Sequence, residues 1–164
     1  MSRAILIIGL MATMAANLYG ANDPFPVPIT GNNIRDAYLN TGEWDGKLIG
    51  LAGVIQEIKE GNQGKPLFRI SLRKPNDNET SIWVGSLVKP EAGQMQAGHI
   101  IRVLGYLSTI DSTDSVTAKI VKDPLFLVGF CLVNQSNTKA FFLPAAVNQC
   151  NEWKNGAIPK DVRK

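Results

Sequence analysis

Few residues in this 164-residue chain are of the types that do chemistry, and their spacing keeps them apart. The one histidine, His99, opens a predicted strand, and no serine or acid can be assigned to it by spacing as a triad partner. No glycine-rich phosphate loop ending in Lys-Ser/Thr occurs, and no thioredoxin-like or haem-attachment cysteine motif. A zinc site is not favoured, because His99 is far in sequence from the two cysteines and no carboxylate cluster accompanies them. Asp111 and Asp114 could offer two oxygens to a cation. Without further ligands they read as a turn that hydrogen-bonds its own backbone. A non-enzymatic chain without metal or cofactor is therefore expected.

The one concentration of useful side chains is basic. Lys65, Arg69, Arg73 and Lys74 follow one another with no acid between them. If Phe68, Ile70 and Leu72 face a core, the alternation sends Arg69 and Arg73 outwards. Trp83, on the next predicted strand, joins them if Ile82 and Val84 face inwards. A basic strand beside an exposed aromatic attracts phosphates and stacks bases, so Lys65, Arg69, Arg73 and Trp83 form a candidate ligand-binding set. The competing reading buries Trp83 and leaves the arginines as a solvated face. Residues 22–60 carry three basic and six acidic groups, net −3; residues 61–110 carry six and three, net +3; residues 111–164 carry seven and five, net +2. The total is too small for a strong electrostatic footprint on nucleic acid.

Hydrophobic residues crowd the start: 15 of the first 21, with a single charge at Arg3. A short positive region, the uncharged run from Ala4 to Ala16 and small residues at Gly20 and Ala21 read as a secretory signal peptide of bacterial type over 1–21. The run is marginal for a spanning helix. Export to a periplasmic or extracellular space favours a disulfide between Cys131 and Cys150, against the alternative of two buried thiols. Asn78-Glu79-Thr80 and Asn134-Gln135-Ser136 match a glycan-acceptor pattern, which in a bacterial chain reads as ordinary turns.

The elements that must hold these residues follow from periodicity. Pro24, Pro26 and Pro28 favour an extended, unpaired lead-in. Asn32 or Asn33 could cap a short helix with Ile34, Ala37 and Tyr38 on one face. Period-two patterns then predict strands over 48–59, 67–74, 81–88, 99–110 and 115–121, the first bent at Gly50 or Gly53. Lys89 to Gly98 has room for one helical turn at most. Beyond residue 121, Leu125 to Val133 and Lys139 to Leu143 flank five turn residues and predict a hairpin. The rival is a buried helix capped by Asp123 with Pro124 at its first position. Pro144 to Asn155 reads as a closing helix with Val147, Cys150 and Trp153 on one face, and Pro159 to Lys164 as a mobile basic tail.

Two stretches carry a resemblance. Asp45-Gly46-Lys47-Leu48-Ile49-Gly50-Leu51-Ala52-Gly53-Val54-Ile55 resembles the opening strand of an OB-fold of the tRNA-anticodon-like type. Ala97-Gly98-His99-Ile100-Ile101-Arg102-Val103-Leu104-Gly105-Tyr106-Leu107 resembles its fourth strand, with His99 where acidic residues are common. The resemblance covers roughly residues 34–121. It implies a five-stranded Greek-key barrel that binds oligonucleotides, oligosaccharides or proteins. The expected chain is mainly β: a signal peptide at 1–21, an OB-like barrel with its lead-in at 22–121, and a hairpin-plus-helix extension at 122–164.

Three functions are then open. The first is an exported, non-catalytic binding or assembly module engaging an envelope protein or an oligosaccharide. The second is an extracytoplasmic binder of single-stranded nucleic acid using Lys65, Arg69, Arg73 and Trp83. The third is a small secreted enzyme whose pocket is assembled from residues distant in sequence.

Overall fold

The computed structural model describes residues 25–73 and 80–161. The signal-peptide reading, Lys74, the turn at Pro75 to Asn78 and the last three residues of the basic tail lie outside the described residues.

Seven strands form one sheet. They are β1 (Val27–Ile29), β2 (Leu48–Glu60), β3 (Pro66–Ser71), β4 (Ser81–Ser86), β5 (Ile100–Thr109), β6 (Leu125–Asn134) and β7 (Lys139–Phe142). The order β1-β2-β3-β4-β6-β5, with β5 pairing back onto β2, closes β2 to β6 into a five-stranded barrel. All ladders in the barrel are antiparallel except β4 with β6, whose parallel pairing needs the long crossover through β5. The mainly β Greek-key barrel expected from the sequence is thus present. β1 and β7 are additions outside the ring.

β2 closes the ring because it is long enough to serve two neighbours. Its first half, Leu48 to Val54, pairs with β5, and its second half, Val54 to Glu60, pairs with β3. The handover falls at Gly53, where a Cβ would collide with the Ser71 carbonyl. A side chain there would push β3 off the bend, so glycine is required.

Alternation then fills the interior. Ile49, Leu51 and Ile55 of β2 meet Phe68 and Ile70 of β3, Ile82 and Val84 of β4, and Ile101 and Val103 of β5, all at most 3% exposed. Each such side chain contributes roughly 1.5–3 kcal/mol by leaving water. α1 (Ile34–Leu39) and α2 (Thr41–Trp44) add Ile34, Ala37 and Trp44 to the same core, and the loop before β5 adds Met95.

Several expectations need correction. Ser115 to Val121 is not a strand: α3 (Ser115–Ile120) occupies it. The β-branched Val116, Thr117 and Ile120 suggested extended chain, but the Asp114 carboxylate accepts the backbone N–H groups of Val116 and Thr117 at 2.9 Å each and starts a helix. The fifth barrel strand is β6 instead. The boundary at residue 121 therefore cuts through the barrel, and residues 125–134 belong to it. The proline-rich lead-in is not unpaired, since β1 runs parallel to β2 with Val27 opposite Ile49. Asn33 stands at the N-cap of α1 as expected but makes no side-chain cap bond; its side chain bonds the lead-in instead, accepting from Thr30 N–H and donating to the Pro28 carbonyl.

The hairpin reading holds, with β6 and β7 joined by residues 135–138. So does the closing helix, α4 (Val147–Lys154). The Cys131–Cys150 disulfide ties it to β6. Val147, however, is exposed, so Cys150 and Trp153 share their buried face with Gln149. The tail is held as far as Asp161: Gln149 donates to the Lys160 carbonyl, and Tyr106 Oη donates to Asp161 Oδ1 at 3.1 Å. None of the described helices is long and apolar enough to cross a membrane.

Candidate functional site

Of the four residues proposed from sequence, the structure brings Arg69 and Trp83 together and places Arg73 and Lys65 apart from them. Arg69 and Trp83 face each other across β3 and β4 on the outer side of the barrel, as the alternation requires. The Arg69 guanidinium carbon lies 6.0 Å from the Trp83 ring centre and the Lys59 ammonium 5.6 Å. Yet Trp83 is only 5% exposed. It packs with Leu67, Val121 and Phe126 in a second apolar cluster on the outside of the barrel, completed by Ile110 and Ile120. The connection that was expected to be a strand covers this face, and the indole has no free surface on which a base could stack.

Arg69 is engaged as well. Its Nε donates to Ser81 Oγ at 3.1 Å, while Tyr38 Oη donates to the Ser81 carbonyl at 2.8 Å. Asp123 shares this pocket of charge. Burial pushes its carboxyl pKa up and Arg69 pulls it partly back. The Tyr38 phenol is pushed far above its ordinary range, by burial first and then by the negative Asp123. Arg73 sits elsewhere. It packs against Gly31 and donates to Asn32 Oδ1, bracing the lead-in. Lys65 stands at the end of the β2–β3 turn, away from both arginines in role.

Lys65 borders the feature that the sequence did not reveal. A groove of about 210 Å³ opens between the β2–β3 turn and the β5–β6 connection. Asn62, Gln63 and Lys65 supply one wall; Thr113, Asp114 and Thr117 supply the other. Ser86 and Leu87 follow β4 along it, and Leu67, Phe126 and Val128 form an apolar base. The Lys89 side chain lies over Gly64 beside the turn.

Each wall has a local cause. Gln63 (φ 56°) and Gly64 (φ 68°) turn through the left-handed region, closing a two-strand connection in which Lys65 N–H bonds the Asn62 carbonyl. The opposite wall is the capped start of α3. The Asp114 carboxylate holds two backbone N–H groups and the Thr117 hydroxyl, the last at 2.7 Å. These bonds hold its pKa below the ordinary carboxylate value. Such a carboxylate stays ionised and occupied, which suits a structural acceptor rather than a proton carrier.

His99 has a structural place. Asn134, fully buried, donates from Nδ2 to His99 Nδ1 at 2.8 Å and to the Gln94 carbonyl at 2.6 Å, while its Oδ1 accepts from Ser136 N–H. This knot ties the loop before β5 to the end of β6. It also makes Asn134 a poor glycan acceptor despite its sequence context. Asn78 lies outside the described residues. No group of three or more metal-ligating side chains occurs among the described residues.

The groove was missed because its lining comes from four separated stretches of chain. The available signals were the Gly61-Asn62-Gln63-Gly64 turn and the Asp114-to-Thr117 cap pattern, neither of which announces the other. Compared with known proteins, the chain matches no protein-family model and no curated protein sequence.

Proposed function

We propose that this chain is an exported, non-catalytic binding module with an OB-type barrel, and that it engages an envelope oligosaccharide through the groove between the β2–β3 turn and α3. The observation that carries this reading is the groove's make-up. The exposed side-chain amides of Asn62 and Gln63 border an apolar base of Leu67 and Phe126, while the Ser86 and Thr117 hydroxyls beside them are already bonded to Val88 and Asp114. A sugar presents hydroxyls at its rim and C–H groups on its face, so it needs both.

The volume, about 210 Å³, is below the roughly 300 Å³ at which pockets engulf small molecules. A groove of this size grips one unit of a longer ligand. Strand order supports the barrel type: five strands, the first shared by two neighbours and the third parallel to the fifth. The disulfide fits an oxidising compartment, and the apolar first 21 residues fit an export signal.

No observation favours the nucleic-acid reading, since its stacking residue, Trp83, is covered. The test is a glycan array probed with the mature chain and with an Asn62→Ala/Gln63→Ala variant. Oligosaccharide binding that falls at least tenfold in the variant supports the reading. Absence of glycan binding, or binding indifferent to the variant, overturns it.

A further inference from the structure

A second cavity, about 330 Å³, lies on another part of the surface and shares no lining residue with the groove. It is walled by Pro28, Ile29, Leu51, Ala52, Leu72 and Trp153, with Gly50 at its base and Arg102 as its one charged group. β1 and β2 form its floor through their parallel pairing. The end of α4 brings Trp153 across.

Arg102 is held in a particular way. Its guanidinium carbon is 4.1 Å from the Trp153 ring centre, and Nη1 donates to the Trp153 carbonyl at 2.8 Å. That carbonyl is in the last turn of α4, where the helix dipole favours a cation. The remaining guanidinium N–H groups have no acceptor among the described residues, and no carboxylate pairs with the charge there. Partial burial already disfavours the charged form, holding the Arg102 pKa below its ordinary value. The indole Nε1–H of Trp153 is likewise buried without an acceptor among the described residues. Gly50 permits the arrangement, since a Cβ there would come within 2.7 Å of the indole's outer edge.

A part-buried guanidinium that is fixed by one carbonyl and one ring, with its other N–H donors still open, is a ready partner for an anion. Its planar fork matches a carboxylate in two parallel bonds. Apart from Thr30 the surrounding walls are apolar, and the volume is at the small end of the range for ligand pockets. We propose that this cavity is a binding site for a small organic monocarboxylate with an apolar tail. The carboxylate sits on the Arg102 guanidinium and the tail lies along Ile29, Leu51, Leu72 and Trp153. Its occupant is neither a polymer nor a cation. The site is independent of the groove and of the oligosaccharide reading.

Octanoate is the probe, titrated into the ¹⁵N-labelled mature chain, with octanol and octylamine as matched controls. The expected result is saturable binding of octanoate that shifts the Trp153 indole and Gly50 amide resonances. Octanol is at least tenfold weaker, and octylamine does not bind. Arg102→Gln is expected to lose at least tenfold in affinity, whereas Arg102→Lys keeps the charge and loses less. Thermal unfolding of each variant shows whether it is folded. Trp153→Phe gives an independent reading if either arginine variant unfolds, and is expected to weaken octanoate by several-fold. Three results overturn the proposal: no saturable octanoate binding, equal binding of octanol, or unchanged octanoate affinity in folded Arg102→Gln.

Discussion

Arg69 and Trp83 are direct cross-strand partners, with the guanidinium carbon 6.0 Å from the indole centre, and the tryptophan is nevertheless only 5% exposed. The pair has the composition of a nucleic-acid platform and the environment of a core. The difference is made by α3 and residues 121–126, which lay Val121 and Phe126 over the ring. Trp83→Ala is therefore expected to destabilise the fold by about 3–5 kcal/mol, as loss of a large buried aromatic does. Urea unfolding measures this. Fluorescence anisotropy with single-stranded oligonucleotides at two salt concentrations is expected to show no binding that Arg69→Ala/Arg73→Ala diminishes. A substantial loss in that variant would contradict the burial account.

Asp114 starts the helix that covers Trp83 and walls the groove. Asp114→Ala is expected to cost about 1 kcal/mol through loss of the cap, roughly 2–4 °C in Tm for a chain of this size. The effect depends on pH with a definite sign. Hydrogen bonds to Thr117 and Val116 lower the folded-state pKa below 3.8. The stabilisation is thus complete above that value and is lost as pH falls through the lowered folded pKa. Melting curves of both proteins between pH 7 and pH 2 should converge at the acid end.

Asp123 has the opposite sign. Burial raises its folded-state pKa above 3.8, with Arg69 opposing. Its contribution is favourable below the unfolded value and is lost as pH rises through the raised folded pKa. Asp123→Asn removes the buried charge while keeping the shape. It is expected to raise Tm at pH 7 and to leave it unchanged at pH 3. A lower Tm at pH 7 would show that attraction to Arg69 outweighs burial.

The disulfide fixes α4, and with it Trp153, onto β6. Both sulfurs are fully buried, 19 residues apart in sequence, within a cluster that includes Leu104, Phe130 and Val133. Closing a loop of that length stabilises by about 3 kcal/mol in the chain-entropy model. Cys131→Ala/Cys150→Ala is expected to lower Tm by roughly 6–12 °C. The oxidised protein should show no free thiol until unfolded. The hydrogen bond from Arg102 to the Trp153 carbonyl should loosen in the variant, which amide exchange around residue 153 would report.

The strands were legible because alternation was clear in Ile49-to-Ile55, Phe68-to-Leu72 and Ile101-to-Leu107, and a barrel interior enforces that alternation. The cysteine pair was legible from its even count taken with the export reading of the first 21 residues. α3 was not, since Val116, Thr117 and Ile120 are strand-forming types and a single carboxylate cap outweighed them. β1 escaped notice because Pro28 argues against sheet. A three-residue edge strand tolerates it, since its missing N–H need not face β2. Neither cavity was legible, because each joins stretches more than 50 residues apart, and only the register of β2 with β3, β5 and β1 brings them together.

The central claim is that the groove beside the β2–β3 turn receives one unit of an oligosaccharide. Amide chemical-shift mapping of the chain lacking residues 1–21 against the best array-selected oligosaccharide tests it most directly. The account predicts saturable shifts concentrated at Asn62, Gln63, Lys65, Ser86 and Thr117, with the outer face at Arg73 unmoved. Shifts centred elsewhere on the barrel, or none at saturating sugar, would contradict it.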